Sequence, residues 1–330
     1  MTKIIAELCQ NHNADKGLIV DMVAAAAEAG ADIVKLQTIH SSQLSKRPRF
    51  DSGLIEGQIT KTIKRPFASE LSRLSKLDID DSCVDAFLGA CESNHVVPMT
   101  SIFTRDVVRK TFSQGFKNIK LASFDCISYP LVNDIISCSP NLLIVSTGCT
   151  YESEIKRMAY ILASTSETIE TSMLHCISIY PTPLSEANLS RIDFLKDLSP
   201  SVGLSDHSSY QASGLDLLKC AVTIGIDYVE RHFTILPKDQ TKDGVVSLSP
   251  LELAEARVIC DWSAQQKSDF LSCHNDLKEL TYGCATRELS HSELLNRDYY
   301  QGRFASVSVN GDIVFNWDNS FTADDIQHAQ

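Results

Sequence analysis

A chain of 330 residues with 43% hydrophobic and 22% charged side chains is long enough for one large domain with an appendage and too apolar for disorder. Its formal net charge of −12 argues against a nucleic-acid partner, and an anionic substrate would need locally placed cations. No run reaches the length of a membrane span. Glu7 interrupts what would be the apolar stretch of a signal peptide, so the chain reads as cytoplasmic. Eleven cysteines without a Cys-x-x-Cys pair argue against a disulfide framework or zinc knuckle and read as core residues or free thiols.

In chain order, short apolar runs at 4–8, 33–37, 96–101, 119–123, 142–146, 172–177, 202–205 and 228–232 predict eight strands. Segments of helical period at 15–29, 81–94, 105–114, 129–137, 152–164 and 211–224 predict the helices between them. Eight repeats of strand and helix predict a (β/α)₈ TIM barrel over residues 1–266, with the chemistry at the C-terminal mouth. The strands end in polar residues, among them Lys35, Lys120, His175, His207 and His232, as a shared mouth requires. Residues 267–330 read as a short C-terminal extension of helix plus hairpin, Asn310-Gly311 being a turn signal between two β-prone runs.

The connection at 37–69 is long and basic, with Lys46, Arg47, Arg49, Lys61, Lys64 and Arg65. It predicts a structureless lid that closes over the mouth and retains the acceptor; a solvated loop or a subunit contact is the alternative.

Gly203-Leu204-Ser205-Asp206-His207 and Val229-Glu230-Arg231-His232 put two imidazoles on consecutive strand ends, where they suit a first-row divalent metal. Asp243 is the candidate carboxylate to complete the site. Lys35 and Lys120 face a barrel interior and need counter-charge. A bound phosphate or carboxylate supplies it, or else an internal acid such as Glu7 or Asp125 does. Ser123, Ser146, Thr147 and Gly148 would add donors, the last three before a helix N-terminus. The prolines of Tyr180-Pro181-Thr182-Pro183 fix an extended exit that holds Tyr180 over the mouth.

These motifs, with Ala6-Glu7, Asn11-His12-Asn13 and Val34-Lys35-Leu36-Gln37-Thr38, come in an order that resembles the sialic acid synthases from about residue 3 to about residue 260. The resemblance implies a barrel enzyme that condenses phosphoenolpyruvate with an N-acetylmannosamine-like aldose. The product is a 3-deoxy-2-keto sugar acid, and the cofactor a divalent metal, manganese or magnesium. It implies His207 and His232 as metal ligands. It implies Lys35, Gln37, Ser101, Lys120, Ser123, Ser146, Ser178 and Ser205 as substrate-binding residues, and Glu7, Asp125, Tyr180 and Asp243 as catalytic. Asp125 and Ser178 stand where typical members have glutamate and asparagine. The antifreeze-like C-terminal domain of the family, which lends an arginine to its partner's site, is expected to be incomplete or absent. That leaves the mouth uncovered and a homo-oligomer open. A metal-dependent barrel aldolase and a non-catalytic binding barrel are the competing readings.

Overall fold

The computed structural model describes residues 1–165 and 168–328. Eight parallel strands close on themselves in chain order: β1 (Lys3–Cys9), β2 (Ile33–Gln37), β3 (Val97–Ile102), β4 (Asn118–Leu121), β5 (Leu142–Ser146), β6 (Glu170–Cys176), β7 (Val202–Asp206) and β8 (Tyr228–His232). β8 pairs with β1 from Lys3↔Tyr228 to Glu7↔His232. The expected barrel is therefore present, and β2, β5 and β8 begin and end where the apolar runs do. Helices cover the outside, among them Lys16–Glu28, Asp81–Ser93, Tyr129–Ser137 and Glu152–Ala163. The predicted helix at 211–224 is two pieces, Tyr210–Ser213 and Asp216–Ile224. Gly214, at φ +55°, takes a left-handed conformation that ends the first piece.

Strand alternation sorts the side chains. Ile5, Ile33, Met99, Leu142, Ile144, Leu174 and Tyr228 form an apolar plug inside the barrel. The outward positions, such as Ile4, Ala6, Val34, Ile119, Leu143 and Val229, join the helices in the main core. A step of two residues toward the C-terminal ends carries the inward face from that plug to Glu7, Lys35, Ser101, Ser146, Cys176 and Glu230. His175 consequently faces outward. It is buried, its Nε2 lies 2.7 Å from the Ala187 carbonyl, and burial lowers its pKa to about 4. Of the three strand-end histidines, only His207 and His232 belong to the mouth.

Asp206 also faces outward, where it forms an ion pair with Arg231 of β8, both fully buried. Arg231 also donates to the Ser208 hydroxyl at 3.0 Å and to its carbonyl at 3.1 Å. Asp206 accepts the Ser208 N–H at 2.8 Å. This closed network fixes the backbone on both sides of His207.

The connection at 37–69 is not structureless. It holds a helical turn, Arg49–Ser52, and a hairpin, Leu54–Glu56 with Ile59–Thr62; the helix Phe67–Leu74 follows. Arg47 and Arg49 grip the C-terminal segment, while Arg65 lines the cavity at the mouth. Arg47 donates to the Gln301 carbonyl at 3.0 Å and stacks over Phe50 and Tyr299, and Arg49 pairs with Asp298 at 2.6 Å. Nor is the mouth uncovered. The helix His291–Tyr300 and the strand Ser306–Ser308 with its neighbours run across it. The roof is tied down by Ser45 to the Gly302 carbonyl at 2.5 Å and by Arg303 to Glu70. Burial raises the Glu70 pKa, but Arg73 and Arg303 outweigh it and hold it at about 2.

Replacing Arg231 by methionine strands the Asp206 carboxylate in the core. Unfolding in urea is expected to show a loss of about 3–5 kcal/mol, the typical cost of breaking a buried pair from one side. A loss under about 1 kcal/mol, the range of an exposed pair, would mean that water reaches Asp206.

Candidate active site

A cavity of about 440 Å³ opens at the C-terminal ends of the strands. Its wall includes Glu7, Lys35, Gln37, Ser101, Lys120, Ser123, Asp125, Ser146, Tyr180, Ser205, His207, His232 and Asp243. Ser178 is the exception among the expected site residues. It is buried behind Gly148, where a Cβ would come within 2.6 Å of its hydroxyl, so its side chain does not reach the cavity.

Charge at the floor is organised around Glu230. Its carboxylate takes Lys120 at 2.8 Å and Lys35 at 2.8 Å, and Lys35 also meets Glu7 at 2.5 Å. All four residues are buried. Burial lowers both lysine pKa values. For Lys35 the pull of Glu230 and Glu7 is greater, and its pKa is raised; for Lys120 burial prevails, and its pKa is lowered. The internal counter-ion of Lys120 is thus Glu230, not Glu7 or Asp125. Glu230 went unassigned in the sequence, although alternation along β8 puts it on the face of His232.

The hydroxyls around this floor are unevenly committed. Ser205 donates to Glu230 at 2.9 Å, and Ser123 accepts the Gly148 N–H at 3.2 Å. The Ser146 hydroxyl is buried and has no hydrogen-bond partner. The expected anion site at a helix N-terminus does not form. The Thr147 N–H is taken by the Leu174 carbonyl, and the helix Glu152–Ala163 starts four residues beyond Gly148.

Above the lysines, the His207 and His232 rings face each other with centroids 5.5 Å apart. His207 Nδ1 lies 3.1 Å from the Ile177 carbonyl. A carbonyl only accepts, so that nitrogen carries the hydrogen and Nε2 keeps a lone pair. His232 Nδ1 is buried without a hydrogen-bond partner and stands 3.8 Å from Asp243 Oδ2. Tyr180, half-buried, lies over His207 at 4.2 Å between ring centres.

Asp125 sits under the roof. Ser128 and Asn316 donate to its Oδ1 at 2.9 and 2.8 Å, yet burial outweighs both and pushes its pKa up to about 6. Asn296, Tyr300, Arg303 and Asn316 bring the roof into the cavity wall. These residues carry no local sequence signal and were missed, as was Cys9. Five cations (Lys35, Arg65, Lys120, Lys242, Arg303) and four carboxylates (Glu7, Asp125, Glu230, Asp243) line the cavity, a local balance of +1 in a chain of −12.

The barrel has counterparts among known proteins. The NeuB family model matches residues 22–261. The chain belongs to the NeuB family. Its synthases condense phosphoenolpyruvate with a sugar to make nonulosonic acids, so this chain is an enzyme of the phosphoenolpyruvate-condensing class, and such synthases are in general metal-dependent. N,N'-diacetyllegionaminic acid synthase of Campylobacter jejuni is 28% identical over 76% of this chain and 73% of its own. A pseudaminic acid synthase of the same species is 26% identical over 96% and 85%. The spore coat polysaccharide biosynthesis protein SpsE of Bacillus subtilis shares the fold with a TM-score of 0.70 at 23% identity, over 90% of this chain and 77% of that one. The N-acetylneuraminic acid synthetase of Leptospira borgpetersenii does so with 0.66 at 23%, over 90% of each. No helix of the described residues is long and apolar enough to cross a membrane.

If Asp125 exchanges a proton with the substrate, kcat measured against pH should show a limb near its pKa of about 6. Asp125→Asn should remove that limb and lower kcat on the order of 10²–10⁴-fold, the usual contribution of a positioned acid or base. A variant that retains the limb assigns it to another group.

Proposed function

We propose that this synthase joins C3 of phosphoenolpyruvate to the aldehyde carbon of an N-acetylmannosamine-like aldose. The product is a 3-deoxy-2-keto sugar acid, and phosphate leaves by C–O cleavage. The observation that carries the reading is the floor of the cavity. Two buried lysines and an unpartnered buried serine hydroxyl, Ser146, converge there, a donor set that suits a phosphate or carboxylate. Lys35, Lys120, Ser123, Ser146 and Ser205 hold phosphoenolpyruvate in this reading, with Gln37 and Ser101 on the adjoining wall.

As C3 attacks the aldehyde, positive charge develops at C2. Water adds there, and the tetrahedral intermediate expels phosphate while the aldehyde oxygen takes up a proton. The lysines offset phosphate charge throughout. Asp125, with its raised pKa, is the group proposed to hand over that proton, and Glu7 stands nearer the enol end through its contact with Lys35. His207 and His232, with Asp243 beside them, are the residues proposed to hold manganese or magnesium; the unpartnered His232 Nδ1 and the His207 Nε2, whose hydrogen-bond neighbour is the Ser205 hydroxyl at 3.4 Å, fit a metal. When bound, the metal supplies Lewis-acid polarisation of the aldehyde oxygen. The acceptor meets Tyr180 and the roof residues Asn296, Tyr300 and Arg303, so the extension at 267–330 closes the site in place of a lid. All eleven cysteines are free thiols, which suits a reducing compartment, and a cytoplasmic setting is part of the proposal.

The test is phosphate release from phosphoenolpyruvate with manganese and a panel of N-acylated aldoses. Release that depends on the sugar is expected. Lys120→Met should raise KM for phosphoenolpyruvate by an amount equivalent to about 2–5 kcal/mol and leave metal affinity nearly intact. Turnover with pyruvate in place of phosphoenolpyruvate, without phosphate, would overturn the assignment in favour of an aldolase.

A further inference from the structure

Cys9 ends β1 at the rim of the cavity, beside the residues proposed to hold the metal. β1 is irregular there: Glu7 pairs with Lys35, but Cys9 pairs with Leu36 rather than Gln37. Cys9 takes φ +50°, a conformation that glycine adopts freely and other residues seldom do. The irregularity leaves its sulfur pointing at the loop that follows β8. Cys9 Sγ lies 2.9 Å from Asp243 Oδ2. Sulfur, a carboxylate oxygen of Asp243 and a ring nitrogen of His232 all lie within 4.8 Å of one another. His232 Nδ1 is 3.8 Å from Asp243 Oδ2, in a residue 7% exposed, and nothing in the protein satisfies it. Donors around one tetrahedral ion with bonds of about 2.0–2.3 Å lie roughly 3.3–3.8 Å apart, so this group needs only a small opening of the contact between sulfur and Asp243 to receive one.

We infer that Cys9 is a direct thiolate ligand of the divalent metal, together with His232 and Asp243, and that it turns the site toward the softer, more thiophilic first-row ions, so that of the two ions proposed above manganese is held over magnesium. The inference deepens the proposed metal-assisted synthase and rests on that reading. Its chemistry follows from the donor set. Two imidazoles and a carboxylate accept most first-row ions, whereas a thiolate selects the softer ones. On binding, the S–H bond of Cys9 breaks, its proton passes to solvent, and the sulfur lone pair forms the bond to the metal. Cys176, the other cysteine in the cavity wall, lies on β6 beside His207, with its sulfur 3.8 Å from Nδ1, and serves as the internal control.

The experiment is a cobalt(II) titration of the full-length protein followed by absorption. A near-ultraviolet thiolate-to-cobalt charge-transfer band is expected at one equivalent. It should vanish in Cys9→Gly, which suits the left-handed backbone, and in Cys9→Ser, and survive in Cys176→Ala. The two Cys9 variants should keep visible bands of histidine-bound cobalt, with affinity reduced at least roughly 10–100-fold, the loss typical even of a metal's outer hydrogen-bond partners. In competition, zinc should displace cobalt where excess magnesium does not. Cobalt bound by the wild type without the charge-transfer band, or with a band that persists in folded Cys9→Gly, would overturn the role of Cys9 and leave the histidine site standing. A wild type that binds no cobalt would overturn both.

Discussion

The site depends on one carboxylate shared between two buried lysines. Two ammonium groups cannot be kept charged inside a barrel without compensation, because desolvation disfavours the charged form. Glu230 stands between Lys35 and Lys120, and Glu7 stands on the far side of Lys35. The quartet is neutral as a set, which lets it survive in the folded protein without a ligand. It is also open on its cavity side, where the Ser146 hydroxyl has no partner. Charge is thereby fixed in place before substrate arrives, and little reorganisation is left for the reaction.

Other features serve that arrangement. The apolar plug below the quartet keeps water from its underside. Behind β7 and β8, the Asp206–Arg231–Ser208 network holds the histidine that faces His232. Above, the C-terminal segment crosses the mouth, and burial raises the Asp125 pKa against the hydrogen bonds from Asn316 and Ser128. Two lysines, a pair of imidazoles and a carboxyl of raised pKa therefore line one cavity.

Much of this was legible in the sequence because buried parallel strands read as continuous apolar runs. The runs at 33–37, 142–146 and 228–232 match β2, β5 and β8 at both ends. The contributions of individual strand residues needed the alternation to be applied to each strand. Counting polar strand ends put His175 in the mouth, while its neighbour Cys176 is the inward residue. The same count reached Glu230 without giving it a role, which the step of two from His232, toward the lysines, supplies. Cys9 was harder, since it depends on an irregularity of β1 between Glu7 and Cys9 that has no local signature. The roof was illegible for a different reason. Its contacts, such as Asn316 with Asp125 or Arg303 with Glu70, join residues some 190 or more positions apart, and the arginines at 47 and 49 read as ligand-binding until their partners in 298–301 were visible.

The central claim is that the buried lysine charge is held for an anionic substrate and only lent to Glu230. Thermal unfolding of Glu230→Gln, with and without phosphoenolpyruvate, tests it most directly. Removing the carboxylate leaves the lysines under-compensated, so the variant alone should melt below the wild type. Phosphoenolpyruvate then replaces the missing charge, and its stabilising shift in Tm should exceed the shift it gives the wild type. A shift equal to or smaller than that of the wild type would contradict the claim, and the lysines would then be structural partners of Glu230 rather than receptors for phosphate.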